Sequence, residues 1–364
     1  MKAVSTDLVS LALRNPATLP GWPLAHWDKV VRQARQANLL ARIAAGLAER
    51  ALLSDVPAAP RAHLRAAGIL AQAHQEATRR EVTYICQALA SARVEIVLLK
   101  GAAYLLAGLA AANGRLFSDV DILVPKDALD EVEAQLLLHG WTTTHDNAHD
   151  QRYYRRWMHE LPPMHHVGRD TFVDVHHAIL PRTARLKPDS AKLLAASIPV
   201  AGEARLRVLA PADMVLHSAT HLFQNEELST GLRDLADLDS LLRQFGADPS
   251  FWPELTQRAA ELDLLPPLYY GMRYTRRVLA TPVPDEVLLQ SAKGAPPRLL
   301  QGLMDSLWLR ALRPDHPTAA DWLTPTARRL LFFRAHWLRM PPHLLIYHLT
   351  AKAFRRTDKR EEEQ

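Results

Sequence analysis

The stretch Gly114-Arg-Leu-Phe-Ser-Asp-Val-Asp-Ile-Leu-Val-Pro125 sets two carboxylates into an otherwise apolar run. Side chains alternate between the faces of an extended segment, so Asp119 and Asp121 are expected to point the same way, roughly 6–7 Å apart. Adjacent carboxylates repel each other unless a cation lies between them. The pair is compatible with an Mg²⁺ site, because Mg²⁺ prefers oxygen ligands, and equally with a strand whose acidic side chains face water.

The residues before this stretch have the texture of a strand, a glycine turn and a helix. Residues 94–99 are aliphatic and β-branched, Gly101 follows Lys100, and residues 102–111 have helix-forming composition. A glycine there lets the backbone approach a phosphate, although a plain strand-to-helix connection also favours glycine. Lys100 could neutralise a phosphate or lie at a solvent-exposed strand end.

A third aspartate lies on a later predicted strand. Residues 171–177 alternate so that Phe172, Asp174 and His176 share one face. An aspartate in the middle of a strand is disfavoured by β-propensity, which suggests that Asp174 has a specific role. A position facing Asp119 and Asp121 would explain it.

Histidines are concentrated between residues 145 and 177, and two more lie one helical turn apart further along the chain. The histidines between residues 145 and 177 fall at no standard zinc-ligand spacing, so no structural zinc is predicted and the role of this segment stays open. A pair one helical turn apart can bind a metal, but without a third ligand it more often packs or caps a neighbouring strand end. The histidines are His145, His149, His159, His165, His166, His176 and His177, followed by His217 and His221.

Composition is typical of a globular protein: of 364 residues, 48% are hydrophobic and 23% are charged. The single cysteine, Cys86, excludes an internal disulfide and a cysteine-based zinc site. With no apolar segment of signal-peptide length at the N-terminus, we expect a cytoplasmic protein. The most apolar run, residues 96–112, contains Lys100 and is short for a bilayer span, so no transmembrane segment is predicted.

The net charge of +5 permits attraction to the phosphates of nucleotides, nucleic acid or lipid head groups. Residues 328–356 combine arginines with large apolar side chains. This stretch could contact an anionic membrane surface peripherally, whereas a basic helical pair packed on its own domain is the commoner outcome.

The order of these elements resembles the DNA polymerase β type nucleotidyltransferase superfamily. Residues 98–103, 115–124, 140–141 and 173–176 are similar to poorly characterised bacterial nucleotidyltransferase family proteins, and the helical segments carrying His217, His221 and residues 232–238 extend the similarity to about residues 90–245. The resemblance implies a mostly helical α+β fold. We expect a helical region over residues 1–92, a nucleotidyltransferase core with a small mixed sheet over 93–205, and a helical region over 206–364.

The resemblance also implies the reaction and its metal ligands. A nucleoside monophosphate group would pass from an NTP such as ATP to an acceptor hydroxyl, with release of pyrophosphate. Asp119 and Asp121 would hold two Mg²⁺ or Mn²⁺ ions. Asp174 would complete the second metal site and act as the base or as the metal's partner.

Five further residues are implied at the nucleotide. Gly101 would lie at the nucleotide-cradling turn, where Ala102 replaces the usual serine and removes one hydroxyl contact. Lys100 and Arg115 are the natural cations for the triphosphate. Ser118 could bond a phosphate or cap its own turn.

Two alternatives remain open. Ala102 in place of serine would suit a catalytically idle nucleotide sensor or scaffold. The basic residues 152–156 would suit an RNA-modifying or toxin-like enzyme. The sequence does not distinguish a small molecule, a protein or RNA as the acceptor, nor does it fix the base preference or the oligomeric state.

Overall fold

The computed structural model describes residues 7–143, 157–203 and 205–341. In this part of the chain, helices predominate and the strands form one mixed sheet of seven strands. The predicted class, a mostly helical α+β fold, is therefore confirmed.

The sheet has the strand order β3-β4-β5-β2-β1-β7-β6. β2 pairs in parallel with β5, and β1 pairs in parallel with β7. The other neighbours pair antiparallel. The strands are β1 Ile96–Leu98, β2 Asp119–Leu123, β3 Trp141–Thr143, β4 Met164–His166, β5 Phe172–His176, β6 Ile198–Pro199 and β7 Leu206–Val208.

The N-terminal region is helical, as the sequence predicts. Its α-helices are α1 Leu8–Arg14, α2 Leu24–Gln36, α3 Leu40–Ala48 and α4 Ala58–Ala88, with short 3-10 segments at Pro16–Gly21 and Leu53–Asp55. Residues 28–47 are divided between α2 and α3. The chain breaks between α2 and α3 at Asn38, whose φ of 55° is a left-handed conformation that asparagine tolerates well.

Shorter helices connect the strands: α5 Lys100–Leu106, α6 Leu129–Leu138 and α7 Ser190–Ala196, with 3-10 segments at Ala110–Ala112 and Lys126–Ala128. α5 directly follows β1, which gives the predicted strand, turn and helix. α6 ends before Gly140, whose φ of 94° suits the left-handed position after a helix C-terminus.

The C-terminal region is a second set of helices. They are α8 Pro211–Gln224, α9 Gly231–Phe245, α10 Phe251–Glu261, α11 Leu265–Tyr274 with its π-helical continuation Thr275–Leu279, α12 Asp285–Ser291, a 3-10 segment at Ala292–Gly294, α13 Arg298–Ala311 and α14 Thr324–Arg339. α14, which holds the described part of the basic stretch, packs against α13 and α8. Among the described residues, no helix has the length and apolar character needed to cross a membrane.

The core runs continuously from the N-terminal helices through the sheet to the C-terminal helices. In β2, the residues after Asp119 are buried, including Val120 and Ile122, so the strand is packed firmly into the core. The packing of the sheet therefore holds the backbone that carries the acidic side chains of β2 and β5.

Candidate active site

The register of two adjacent parallel strands places the aspartates side by side. Asp121 of β2 lies directly opposite Asp174 of β5, and Asp119 lies opposite Phe172 two positions earlier. Adjacent strands are about 4.8 Å apart, so aligned side chains on one face are close neighbours. Asp121 is buried, Asp174 is half-buried and Asp119 is exposed. The register thus places the three aspartates at neighbouring positions on one face of the sheet. The side chains that converge are those of Asp121 and Asp174, whereas Asp119 lines a separate cavity with Phe117 and Ser118.

Asp121 is the centre of a chain of charged side chains. Its Oδ1 accepts a hydrogen bond from Lys100 Nζ at 2.7 Å and lies 3.0 Å from His176 Nε2. The other nitrogen of the same ring, His176 Nδ1, lies 3.1 Å from Glu160 Oε2. His176 therefore bridges two carboxylates and fixes the orientation of Asp121.

The two facing carboxylates differ in their acidity. Burial alone would raise the pKa of Asp121, but the nearby Lys100 and His176 outweigh it and hold that pKa well below its ordinary value. Burial, followed by the charge of Asp121, raises the pKa of Asp174 to about 7. Asp121 is consequently ionised at neutral pH, whereas Asp174 is poised between its two protonation states and would gain from a further cation.

The donor set fits a divalent cation. One ligand atom from each of Asp121, Asp174 and His176 lies within 4.8 Å of the others, and a second such group is formed by His159, Glu160 and His176. Carboxylate oxygens are the ligands that Mg²⁺ and Mn²⁺ prefer. The pKa of Asp174 is raised by burial and then by the charge of Asp121, and a cation bound beside both carboxylates would lower it again.

Lys100 lies at the junction of β1 and α5. Its φ of 45° is left-handed, and its ammonium group contacts Asp121. Burial would lower the pKa of Lys100, but the charge of Asp121 prevails and raises it. Lys100 therefore stays charged and balances Asp121 directly.

Arg115 occupies a different environment from the one the sequence suggests. Its guanidinium is buried, and Nε donates to Asp237 Oδ2 at 2.9 Å. Arg42 pairs with the same carboxylate. Arg115 also fills the space where Gly101 has no side chain, since a Cβ there would overlap Nη1 and lie 2.9 Å from Cζ. The close approach that Gly101 permits in this structure is that of Arg115, and this favours a structural role for the arginine.

The last two predicted nucleotide-binding residues are Ala102, in α5, and Ser118, directly before β2. The Ala102 side chain is buried in the core, with 1% of its surface exposed, so it offers no polar group to the cleft. The Ser118 hydroxyl donates to Asp119 Oδ1 at 2.9 Å and so positions that carboxylate.

A cavity of about 370 Å³ opens beside the carboxylates. The sheet side contributes Lys100, Asp174 and His176, and α8 contributes His217 and His221. Burial, and then the charge of Lys100, holds the pKa of both α8 histidines well below the ordinary value. These two rings are therefore neutral at pH 7 and present hydrogen-bonding groups to the cavity without adding charge.

Three residues of this arrangement were given no role at the site by the sequence interpretation: Glu160, Asp237 and Arg339. Glu160 meets His176 through an isolated bridge next to β5, and Arg339 lines the cavity from the end of α14. Each of the three lies in a segment that the sequence singles out: Glu160 in the histidine-rich segment, Asp237 in residues 232–238 and Arg339 in the basic stretch of residues 328–356. His145, His149 and the basic residues 152–156 lie outside the described residues.

Comparison with known proteins gives a family. The sequence model of a family described as "Uncharacterised nucleotidyltransferase" matches residues 23–280, well over half of the chain. The matched region contains the whole described sheet and the α8 wall of the cavity, and it ends before α12. No curated protein matches the chain.

Proposed function

The chain belongs to this nucleotidyltransferase family, and we propose that it moves a nucleoside monophosphate group from an NTP to an acceptor hydroxyl in a metal-dependent reaction that releases pyrophosphate. Family membership gives the class of reaction, nucleotidyl transfer. The observation that carries the finer proposal is the register of Asp121 opposite Asp174 at the wall of a cavity that also holds a lysine.

Asp119, Asp121 and Asp174 would hold the divalent cations, Mg²⁺ or Mn²⁺. Their oxygens suit these ions, and Asp174 has an elevated pKa that a cation would lower again. When bound there, the ions supply electrostatic stabilisation of the attacking and leaving oxygens of the transferred group.

The protein's own side chains would orient the reactants and accept a proton. An Asp174 oxygen that is not bound to a metal ion would take the proton of the acceptor hydroxyl, which the position of Asp174 in the cavity lining allows. Lys100 Nζ, already facing the carboxylates, offers positive charge to the phosphates. His176 holds Asp121 in place from the other side. Phosphoryl chemistry depends mainly on such positioning and charge neutralisation, so no covalent intermediate is required.

The test is transfer of label from each of the four NTPs in the presence of Mg²⁺ or Mn²⁺, with cell extract as the source of acceptor. We expect label from the α-phosphate to enter a product and label from the γ-phosphate to leave as pyrophosphate. Asp174→Asn should reduce the rate by at least about 100-fold, the usual range for a lost general base. Asp127→Asn is the matched control, because Asp127 is an exposed carboxylate in the 3-10 segment after β2 and should leave the rate unchanged.

Three outcomes contradict the proposal in different ways. Transfer of γ-label would indicate a phosphotransferase. Nucleotide binding without any transfer would favour the idle sensor. No labelling, combined with nucleotide binding that is unchanged in Asp119→Ala, would remove the transferase proposal altogether. Labelling confined to RNA would identify the acceptor class and leave the reaction as proposed.

A further inference from the structure

We propose that Arg339, the last residue of α14, binds the β- and γ-phosphates of the nucleotide in the cavity. This inference rests on the proposed nucleotidyl transfer and adds a residue from outside the family match, which ends at residue 280. The Arg339 side chain lines the same cavity as Lys100, Asp174 and His176. Helix α14 thus contributes to the cavity lining although it lies outside the region that the family model matches.

The end of α14 is fastened to the segment that follows the Asp174 strand. Thr183 Oγ1 donates to the carbonyl oxygen of Arg339 at 2.7 Å. The backbone N–H of Arg185 donates to Leu338 O at 2.9 Å, and its Nε donates to Trp337 O at 3.1 Å. The last carbonyls of a helix have no hydrogen-bond partner within the helix. These bonds satisfy three of them and fix the backbone position from which the Arg339 side chain extends.

The guanidinium of Arg339 retains donors for a ligand. The carboxylate oxygen Glu226 Oε2 lies 3.6 Å from Arg339 Nη1 and 3.2 Å from His336 Nε2. A charge-assisted hydrogen bond is shorter, at about 2.7–2.9 Å, and the Glu226 side chain is 42% exposed, so this pair is weak. By contrast, Arg115 is buried and hydrogen-bonded to Asp237.

Binding of a triphosphate in the cavity calls for a positively charged residue that is not already paired. Among its described lining residues, the lysine and arginine side chains are those of Lys100 and Arg339. Lys100 is hydrogen-bonded to Asp121, and the α8 histidines are held neutral by burial. A triphosphate carries several negative charges, and arginine matches phosphate oxygens with two parallel N–H donors. Arg339 is therefore the lining residue best suited to the phosphates furthest from the carboxylates.

The test uses inorganic tripolyphosphate with Mg²⁺ as the calorimetric titrant, because this probe isolates phosphate binding from base preference. Arg339→Gln should weaken its binding about 10-fold or more, the usual effect of losing hydrogen bonds to a charged group. Arg339→Lys keeps the charge but loses the paired donors, so its affinity for tripolyphosphate should lie between those of the wild type and Arg339→Gln. Arg329→Gln is the matched control, because Arg329 is exposed on the same helix and does not line the cavity.

A second variant keeps the inference testable if Arg339→Gln does not fold. Arg339→Lys keeps the positive charge but loses the paired donors, so wild-type affinity for tripolyphosphate in this variant overturns the inference. Wild-type affinity in a folded Arg339→Gln protein also overturns it. Either of these results can coexist with NTP-dependent transfer by the wild-type enzyme, so the proposed function fails only if that transfer is absent.

Discussion

Replacement of Gly101 by alanine should destabilise the protein, although alanine is the better helix former. Gly101 lies in the first turn of α5 and is buried. An added Cβ would overlap Arg115 Nη1, lie 2.9 Å from Arg115 Cζ and lie 3.0 Å from Phe117 Cδ1. One of these neighbours has to move.

The size of the effect depends on how firmly Arg115 is held. The guanidinium is the end of a flexible side chain, but it is buried and its Nε is hydrogen-bonded to Asp237 at 2.9 Å. Adding a methyl group to a well-packed core costs about 1–3 kcal/mol. Alanine in place of glycine in a helix returns at most about 1 kcal/mol. We therefore expect the free energy of unfolding to fall by about 1–2 kcal/mol.

Urea denaturation followed by circular dichroism measures this change, with Gly68→Ala as the control. Gly68 lies inside α4 with nothing within 4 Å of its would-be Cβ, so its replacement should be neutral or stabilising. If Gly101→Ala is as stable as Gly68→Ala, the argument that Arg115 is fixed against this glycine is wrong. In an Arg115→Ala background, the cost of Gly101→Ala should disappear.

Two more predictions concern buried charges. Since the pKa of Asp174 is raised by burial and by Asp121, its folded form holds a proton that its unfolded form has lost between about pH 4 and pH 7, so its contribution to stability falls as pH rises through that window. Asp174→Asn should remove that fall and raise the neutral-pH urea midpoint, whereas an unchanged pH profile would refute it. Asp237→Ala leaves the guanidinium groups of Arg42 and Arg115 without their shared carboxylate and should cost about 3–5 kcal/mol in the same assay. A loss below 1 kcal/mol would show that water or other groups reach them.

The sequence predicts the elements that depend on local patterns. A short aliphatic run identifies β1 and alternation identifies β2 and β5, and the side-chain period of two correctly places Asp119 and Asp121 on one face. The glycine at position 140 correctly marks the end of α6. The facing of Asp174 and Asp121 came from a family resemblance and an unusual mid-strand aspartate, because periodicity alone contains no information about which strands are neighbours.

Long-range partners were beyond sequence reasoning. Spacing predicts that Arg233 pairs with Asp237 one helical turn away, but Arg233 instead bonds to Asp234. Asp237 turns inward to Arg42 and Arg115, which are 195 and 122 residues away along the chain. Asp237 thus shares its buried carboxylate between two guanidinium groups and forms no surface pair with Arg233. No local sequence pattern reveals those two partners.

The pairing of Asp237 with Arg42 and Arg115 bears on how the chain is made. These residues come from each of the three regions proposed from the sequence, on both sides of the boundaries at residues 92 and 205. Arg115 is synthesised 122 residues before Asp237, so their hydrogen bond cannot form until α9 has been made. Residues 93–205 expressed alone would therefore lack the carboxylate that holds Arg115 against the Gly101 turn.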